Sequence, residues 1–267
     1  MAVGKLEENL KMLANFRLLD DDFMTVVFDR NIEATELILR IILQRTDLKV
    51  LEVTAQREYK SPITDGRSIE LDIYAEDKEG KIYDIEVQRA DSGADVHRAR
   101  FHSSMLDTKM LKAKQKFKEI HDSYVIFITE NDYMKKGLPL YHVERVVQET
   151  QKLFGDGSHI IYVNGSYKND DDPIGKLMHD FRCTRSVDMF YNELKDTVKH
   201  FKETEGGQGQ VCKAMEERIK RERSEERIEV LLGTVKSLME NMQLSAQQVM
   251  AAMNISEEDK QKLIKKL

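Results

Sequence analysis

Hydrophobic and polar positions along the chain change period several times, and each change predicts an element. Over residues 21–45, DDFMTVVFDRNIEATELILRIIL, Phe28, Ile32, Leu39 and Ile42 recur at helical spacing and predict one helix with a buried face. LKVLEVTAQREYK follows, and Val50, Leu51, Val53 and Thr54 favour a strand. Ser61-Pro62 and Asp65-Gly66 mark a turn. The period then becomes two. In RSIELDIYA, Ile69, Leu71 and Ile73 point one way, and Glu70, Asp72 and Tyr74 point the other. After the polar turn AEDKEGK, the segment IYDIEVQ puts Tyr83, Ile85 and Val87 on one face and Asp84, Glu86 and Gln88 on the other. Two such strands joined by a short polar loop predict a hairpin.

From Asp95 to Glu119 the pattern is helical and basic. YVIFIT (124–129) and HIIYVN (159–164) are short apolar runs that read as buried strands. Between them, LPLYHVERVVQET reads as a helix or an extended arm. Asp171-Asp172-Pro173 opens a helical stretch through Phe201, and GGQGQ (206–210) reads as a hinge or helix break. Beyond it the chain is charged and helical, with pairs such as Glu217 and Arg221 one turn apart. Ser245 with Gln248, and Ser256 with Asp259, carry capping-box spacing. The alternation predicts an α/β core with a mixed sheet over 1–205 and a helical tail over 206–267. The tail shows no clear recognition helix and reads as a packed or self-associating appendage.

Composition narrows the class. In 267 residues, 40% hydrophobic and 34% charged positions suit a sizeable core under a heavily solvated surface. No apolar run approaches a bilayer span, and acidic residues near the start argue against a signal peptide, so a soluble cytoplasmic protein is expected. Cys183 and Cys212 form no CxxC, and the scattered histidines form no HxH or HExxH, so two reduced thiols and no dedicated zinc site are expected. The net charge of −6 opposes binding to a polyanion overall, which leaves local basic strips to do it. His97, Arg98, Arg100 and the lysines from Lys109 to Lys118 offer one, and Arg98 and Arg100 follow directly on the acidic strand.

The candidate chemistry lies on the hairpin. Facing residues of paired strands sit about 5 Å apart and diagonal ones about 7–8 Å. Asp72 and Glu86 are thus spaced to share a divalent ion. Mg²⁺ takes such oxygen ligands. Gln88 projects to the same side and could orient a water or a phosphate oxygen. Glu36 borders the buried face of the first helix and could reach a third position. The competing reading is a solvated hairpin face carrying acids for solubility, and spacing alone favours it.

The string GRSIELDIYAEDKEGKIYDIEVQRADSGADVHRARFHSSMLD resembles the core of the recombination-promoting nuclease and transposase family of the PD-(D/E)XK superfamily. The matching residues are Asp72, the ExQ of Glu86 and Gln88, and the R-x-R-aromatic of Arg98, Arg100 and Phe101. DDFMTVVFDRN, YVIFITE and IIYVNGSYKNDDDPIGKLMHDFRC extend the likeness over most of residues 20–220. The resemblance implies a restriction-endonuclease-like fold and Mg²⁺-dependent DNA cleavage linked to recombination or mobile elements, with Mn²⁺ as a substitute ion and a homodimer as the cutting unit. Gln88 stands where the superfamily has a lysine, which leaves the general base unassigned. His102 stands where similar sequences carry a tyrosine, so no tyrosine nucleophile is expected there. The alternative function is a nuclease fold that binds DNA or protein without cutting, through its tail.

Overall fold

The computed structural model describes residues 2–64 and 66–267, with side chains from Glu7 onward; Asp65 of the expected turn lies outside them. Three helices come first: α1 (Ala2–Asn15), α2 (Asp21–Phe28) and α3 (Ile32–Leu43). The single helix expected over 21–45 is two. Arg30 adopts a left-handed φ of 57°, and the Asn31 side chain accepts the Ala34 N–H at 3.1 Å, starting α3 afresh. Strands β1 (Val50–Tyr59), β2 (Ile69–Asp77) and β3 (Ile82–Gln88) form an antiparallel meander. Helix α4 (Val96–Met110) then leads to β4 (Ser123–Thr129), parallel to β3.

Helix α4 stops nine residues short of the expected Glu119. Leu111 turns extended and Lys114 takes a φ of 76°, so Lys112 to Lys118 leave the helix. The segment after β4 takes the extended form, as β5 (Leu140–Val143), β6 (Val146–Val147) and β7 (Lys152–Leu153), before β8 (Ser158–Asn164). Together the strands give a mixed six-stranded sheet in the order β1-β2-β3-β4-β8-β5, with β6 and β7 as a separate ribbon. Strand β4 is apolar from Val125 to Ile128 because both faces of a central parallel strand are covered.

Helix α4 covers one face of the sheet. Its Ala99, Met105 and Leu106 join Tyr74, Val125, Phe127 and Tyr162 in one cluster, and its Ser103 hydroxyl meets that of Ser158 at 2.7 Å. Ile73, Ile85, Ile126 and Ile161, adjacent in register, point to the opposite face. On the helices flanking that side, α2 and α3 pack on β1, and Phe28 stacks on Phe181 of α5 (Pro173–Arg182) at 6.2 Å. Helix α6 (Asn192–Glu203) carries Lys202, whose ammonium donates to the backbone carbonyls of Phe16 and Thr184 at 2.5 Å and of Ala14 at 3.3 Å. Burial pulls that ammonium down to about 8.

The break expected at 206–210 is absent: α7 runs unbroken over Glu205–Met242. A Cβ on Gly207 would lie 2.2 Å from the His200 carbonyl, so this glycine serves a close approach to α6 and not a hinge. Contacts divide the chain into a unit ending at Cys212 and another over Lys213–Leu267. Within the second unit, Ile228 and Val235 of α7 share a core with α8 (Ala246–Ala252) and α9 (Glu257–Ile264) through Val249, Met250 and Leu263. Ser245 forms the expected reciprocal cap with Gln248. Ser256 forms half of one, since the Asp259 carboxylate pairs with Arg227 at 2.8 Å. No described helix is long and apolar enough to cross a membrane.

Candidate active site

The backbone ladder between β2 and β3 runs from Glu76 opposite Ile82 to Ile73 opposite Ile85. Past that pair, acidic side chains take over as acceptors. The Asp72 N–H donates to Glu86 Oε1 at 3.1 Å, and the Val87 N–H donates to Asp72 Oδ2 at 2.9 Å. The two carboxylates therefore stand side by side between the strands. The Gln88 amide reaches both, 3.5 Å from Asp72 Oδ2 and 3.4 Å from Glu86 Oε2. Gly93, in the turn after β3, leaves room for it: a Cβ there would meet Gln88 Oε1 at 1.9 Å.

The face read as solvated is buried. Asp84 and Glu86 are both 0% exposed because α4 lies across them, and Asp72 is half-buried. Helix α4 starts at Asp95, whose carboxylate accepts the His97 N–H at 2.8 Å. One turn apart on it, Arg98 and His102 reach the acids. Arg98 donates to Glu86 Oε2 at 2.8 Å, and His102 Nδ1 lies 2.8 Å from Asp84 Oδ2 and 3.7 Å from Glu86 Oε1. Arg98 thus meets a carboxylate of the site itself.

Asp84 and His102 were not among the residues expected here, yet the sequence held a signal for each. Asp84 has the same strand parity as Glu86, and His102 follows Arg98 by four positions, which places both on one helix face. Glu36 is not brought to the cluster. Its carboxylate pairs with Arg40 at 2.7 Å and Lys49 at 3.1 Å and accepts the Val50 N–H at 3.0 Å. Val50 faces Asp77, five residues along β2 from Asp72, or about 17 Å at strand rise.

Two fully buried carboxyls with the half-buried Asp72 against them resist ionising together. Burial pushes Asp84 up to about 8, with the charge of Asp72 adding to it. Burial and then Asp84 push Glu86 to about 8, against the pull of His102 and Arg98. Asp72 is raised well above the usual carboxylate range by burial and by Glu86. Burial lowers His102, favouring the neutral ring. Asp84 Oδ1 and Arg98 Nε are buried without a hydrogen-bond partner. The Asp84, Glu86 and His102 donors all lie within 4.8 Å of one another, a spacing that a single cation can bridge. An unmet acceptor, clustered oxygen donors and suppressed ionisation fit a hard divalent cation.

A cleft of about 730 Å³ opens over the cluster, with Asp72 on its wall. Arg67, His97, Arg98 and Arg100 line it from the β2 approach and from α4, with Phe101 and His102 beside them. Glu70 and Asp95 share the lining with Asp72, so three arginines and three carboxylates mix around the cleft, and Arg67 and Arg100 are the guanidinium groups there that could meet an anionic substrate.

Neither a curated protein nor a solved structure matches the chain. A family model described as PD-(D/E)XK nuclease family transposase matches residues 29–230, which span the whole sheet, the acidic cluster and α4. With that match over most of its length, and with the mixed sheet and flanking helices of the fold, the chain belongs to the PD-(D/E)XK nuclease family transposases.

Proposed function

We propose that the protein is a divalent-metal-dependent DNA endonuclease, working on phosphodiesters in recombination or in the movement of mobile elements. The observation that carries this is the buried, unpartnered Asp84 Oδ1 beside two further carboxyls, beneath a cleft that Arg67, Arg98 and Arg100 help to line. Asp72, Asp84 and Glu86 would hold the ion. Mg²⁺, or Mn²⁺ in its place, supplies the Lewis acidity that phosphodiester hydrolysis needs. The remaining work falls to the chain's own groups. Gln88, with its amide spanning Asp72 and Glu86, keeps the two acids in register. Arg98 offsets the charge of Glu86, and the neutral His102 ring fixes Asp84. Arg100 and Arg67 at the cleft would take phosphate oxygens, where guanidinium geometry allows two bonds at once. Cutting both strands would call for a second copy of the site. Light scattering that returns a monomer mass at working concentration would count against that part.

One observation favours the non-cutting alternative: Glu86 already has a cationic partner in Arg98, as an acid in a purely structural network would. Incubation with supercoiled plasmid separates the readings. Nicked or linear product is expected with Mg²⁺ or Mn²⁺ and not with EDTA, and Asp72→Ala and Glu86→Ala, still folded, should abolish it. Inert wild type with both metals, or variants that cut equally well, would sink the nuclease proposal.

A further inference from the structure

A second group of ligating side chains lies at the end of α5 and shares no residue with the acidic cluster. His179 and Asp180 sit in the last turn of α5, and Cys183 caps it. His179 and Cys183 are four positions apart, so both emerge on one helix face. Cys183 Sγ lies 3.5 Å from His179 Nδ1, and that nitrogen lies 3.4 Å from Asp180 Oδ1. All three donor atoms fall within 4.8 Å of one another.

The two separations at His179 Nδ1 match edges of a tetrahedron around a thiophilic ion. With bonds of about 2.3 Å to sulfur and about 2.0–2.1 Å to nitrogen and oxygen, tetrahedral angles give edges of roughly 3.5 Å for S to N and roughly 3.3 Å for N to O. The Asp180 carboxylate is already oriented. It accepts the Phe190 N–H at 2.8 Å and the Tyr191 N–H at 2.9 Å, the kind of outer support that ligating carboxylates have. The His179 ring is held against Phe190, centroid to centroid 4.7 Å. His179 and Cys183 are each partly exposed, which leaves an entry path.

We propose that His179, Asp180 and Cys183 form a site for a zinc-class divalent ion, chemically distinct from the oxygen-rich cluster under α4. A thiolate and a carboxylate together balance the ion's charge, the thiol proton leaving on binding. Three protein ligands leave a fourth position for solvent. The bound ion would tie the last turn of α5 to the segment at Phe190 and Tyr191, through Asp180. The absence of CxxC and HExxH spacing concealed the site, because two of its ligands are neighbours in sequence and the third follows one turn later.

Co²⁺ is the probe, added to the full-length chain after treatment with a chelator and with a reductant that does not bind metal. The expected result is thiolate-to-metal charge-transfer absorption that saturates at one Co²⁺ per chain, together with the strong visible bands of tetrahedral Co²⁺. Both should vanish in Cys183→Ser and persist in Cys212→Ser. Both should also persist in an Asp72→Asn/Glu86→Gln double variant, which separates this site from the proposed nuclease centre. His179→Gln, checked by circular dichroism, gives a second reading: the bands should weaken or shift. Wild type without a charge-transfer band, or a band that survives Cys183→Ser, overturns the proposal and leaves a hydrogen-bonded trio.

Discussion

The two ends of the β2–β3 hairpin each bury carboxylates, and they treat them in opposite ways. At the turn, Asp77 is 0% exposed, yet both of its oxygens are met. Oδ1 accepts the N–H groups of Glu79 and Lys81, each at 2.9 Å, and Oδ2 accepts the Tyr83 hydroxyl at 2.6 Å. At the open end, Asp84 is just as buried but keeps one oxygen unmet, and it stands with Asp72 and Glu86 in a group whose ionisation is suppressed. A buried acid whose lone pairs are used holds a turn together. A buried acid left wanting marks a place for a ligand.

The contrast can be broken most sharply by activity. Asp72→Asn should cut plasmid about a thousandfold more slowly or worse, the loss expected when several kcal/mol of charge stabilisation go. Asp77→Asn, corrected for folded fraction, should cut at close to the wild-type rate. Equal losses in both would erase the distinction. Stability should move the other way: Asp77→Ala strands three donors and is expected to cost about 3 kcal/mol by denaturant titration.

Asp84→Asn should stabilise the metal-free protein by about 2 kcal/mol, because it removes a charge that the fold resists. The sign follows from linkage. Carboxyls raised in the fold from near 4 to about 8 bind more protons folded than unfolded. Wild-type stability without divalent ions should therefore fall as pH rises through that window. Added Mg²⁺ or Mn²⁺ should restore it, and Asp84→Asn should flatten the slope. A melting temperature that rises across the window would refute the assignment. The smallest effect belongs to Gly93→Ala, which pushes on the Gln88 amide. Cleavage should drop roughly tenfold, the scale of a misplaced orienting group, with the melting temperature little changed. Unaltered rates would show that the Gln88 position does not matter.

The hairpin and the pairing of Asp72 with Glu86 were legible because strand parity is a strict rule that survives without tertiary information. The apolar runs at 124–129 and 159–164 were legible for a different reason: a short strand covered on both faces is apolar at nearly every position. What sequence alone could not supply was the cover. Whether Asp84 and Glu86 face water depends on α4 crossing the sheet, and the His102–Asp84 contact exists only after that crossing. Local chemistry also misled twice. The apolar spacing from Phe28 to Ile42 runs across a helix break at Arg30: Phe28 ends α2 buried and Leu39 and Ile42 are buried in α3, but Ile32 between them is exposed. GGQGQ has the composition of a hinge, but its Gly207 answers to the neighbouring backbone of α6.

The Lys202 contacts bear on how the N-terminal segment can change over generations. The ammonium reads backbone carbonyls at Ala14, Phe16 and Thr184, and a carbonyl is present whatever side chain a codon specifies. Helix α1 lies ahead of the span that the family model matches. The part of its mooring that runs through Lys202 is thus indifferent to the side chain at the residue gripped. A substitution at Ala14 leaves its bond in place, whereas Leu13 holds α1 by a side chain buried in the core, and a single change at Lys202 removes all three carbonyl contacts at once.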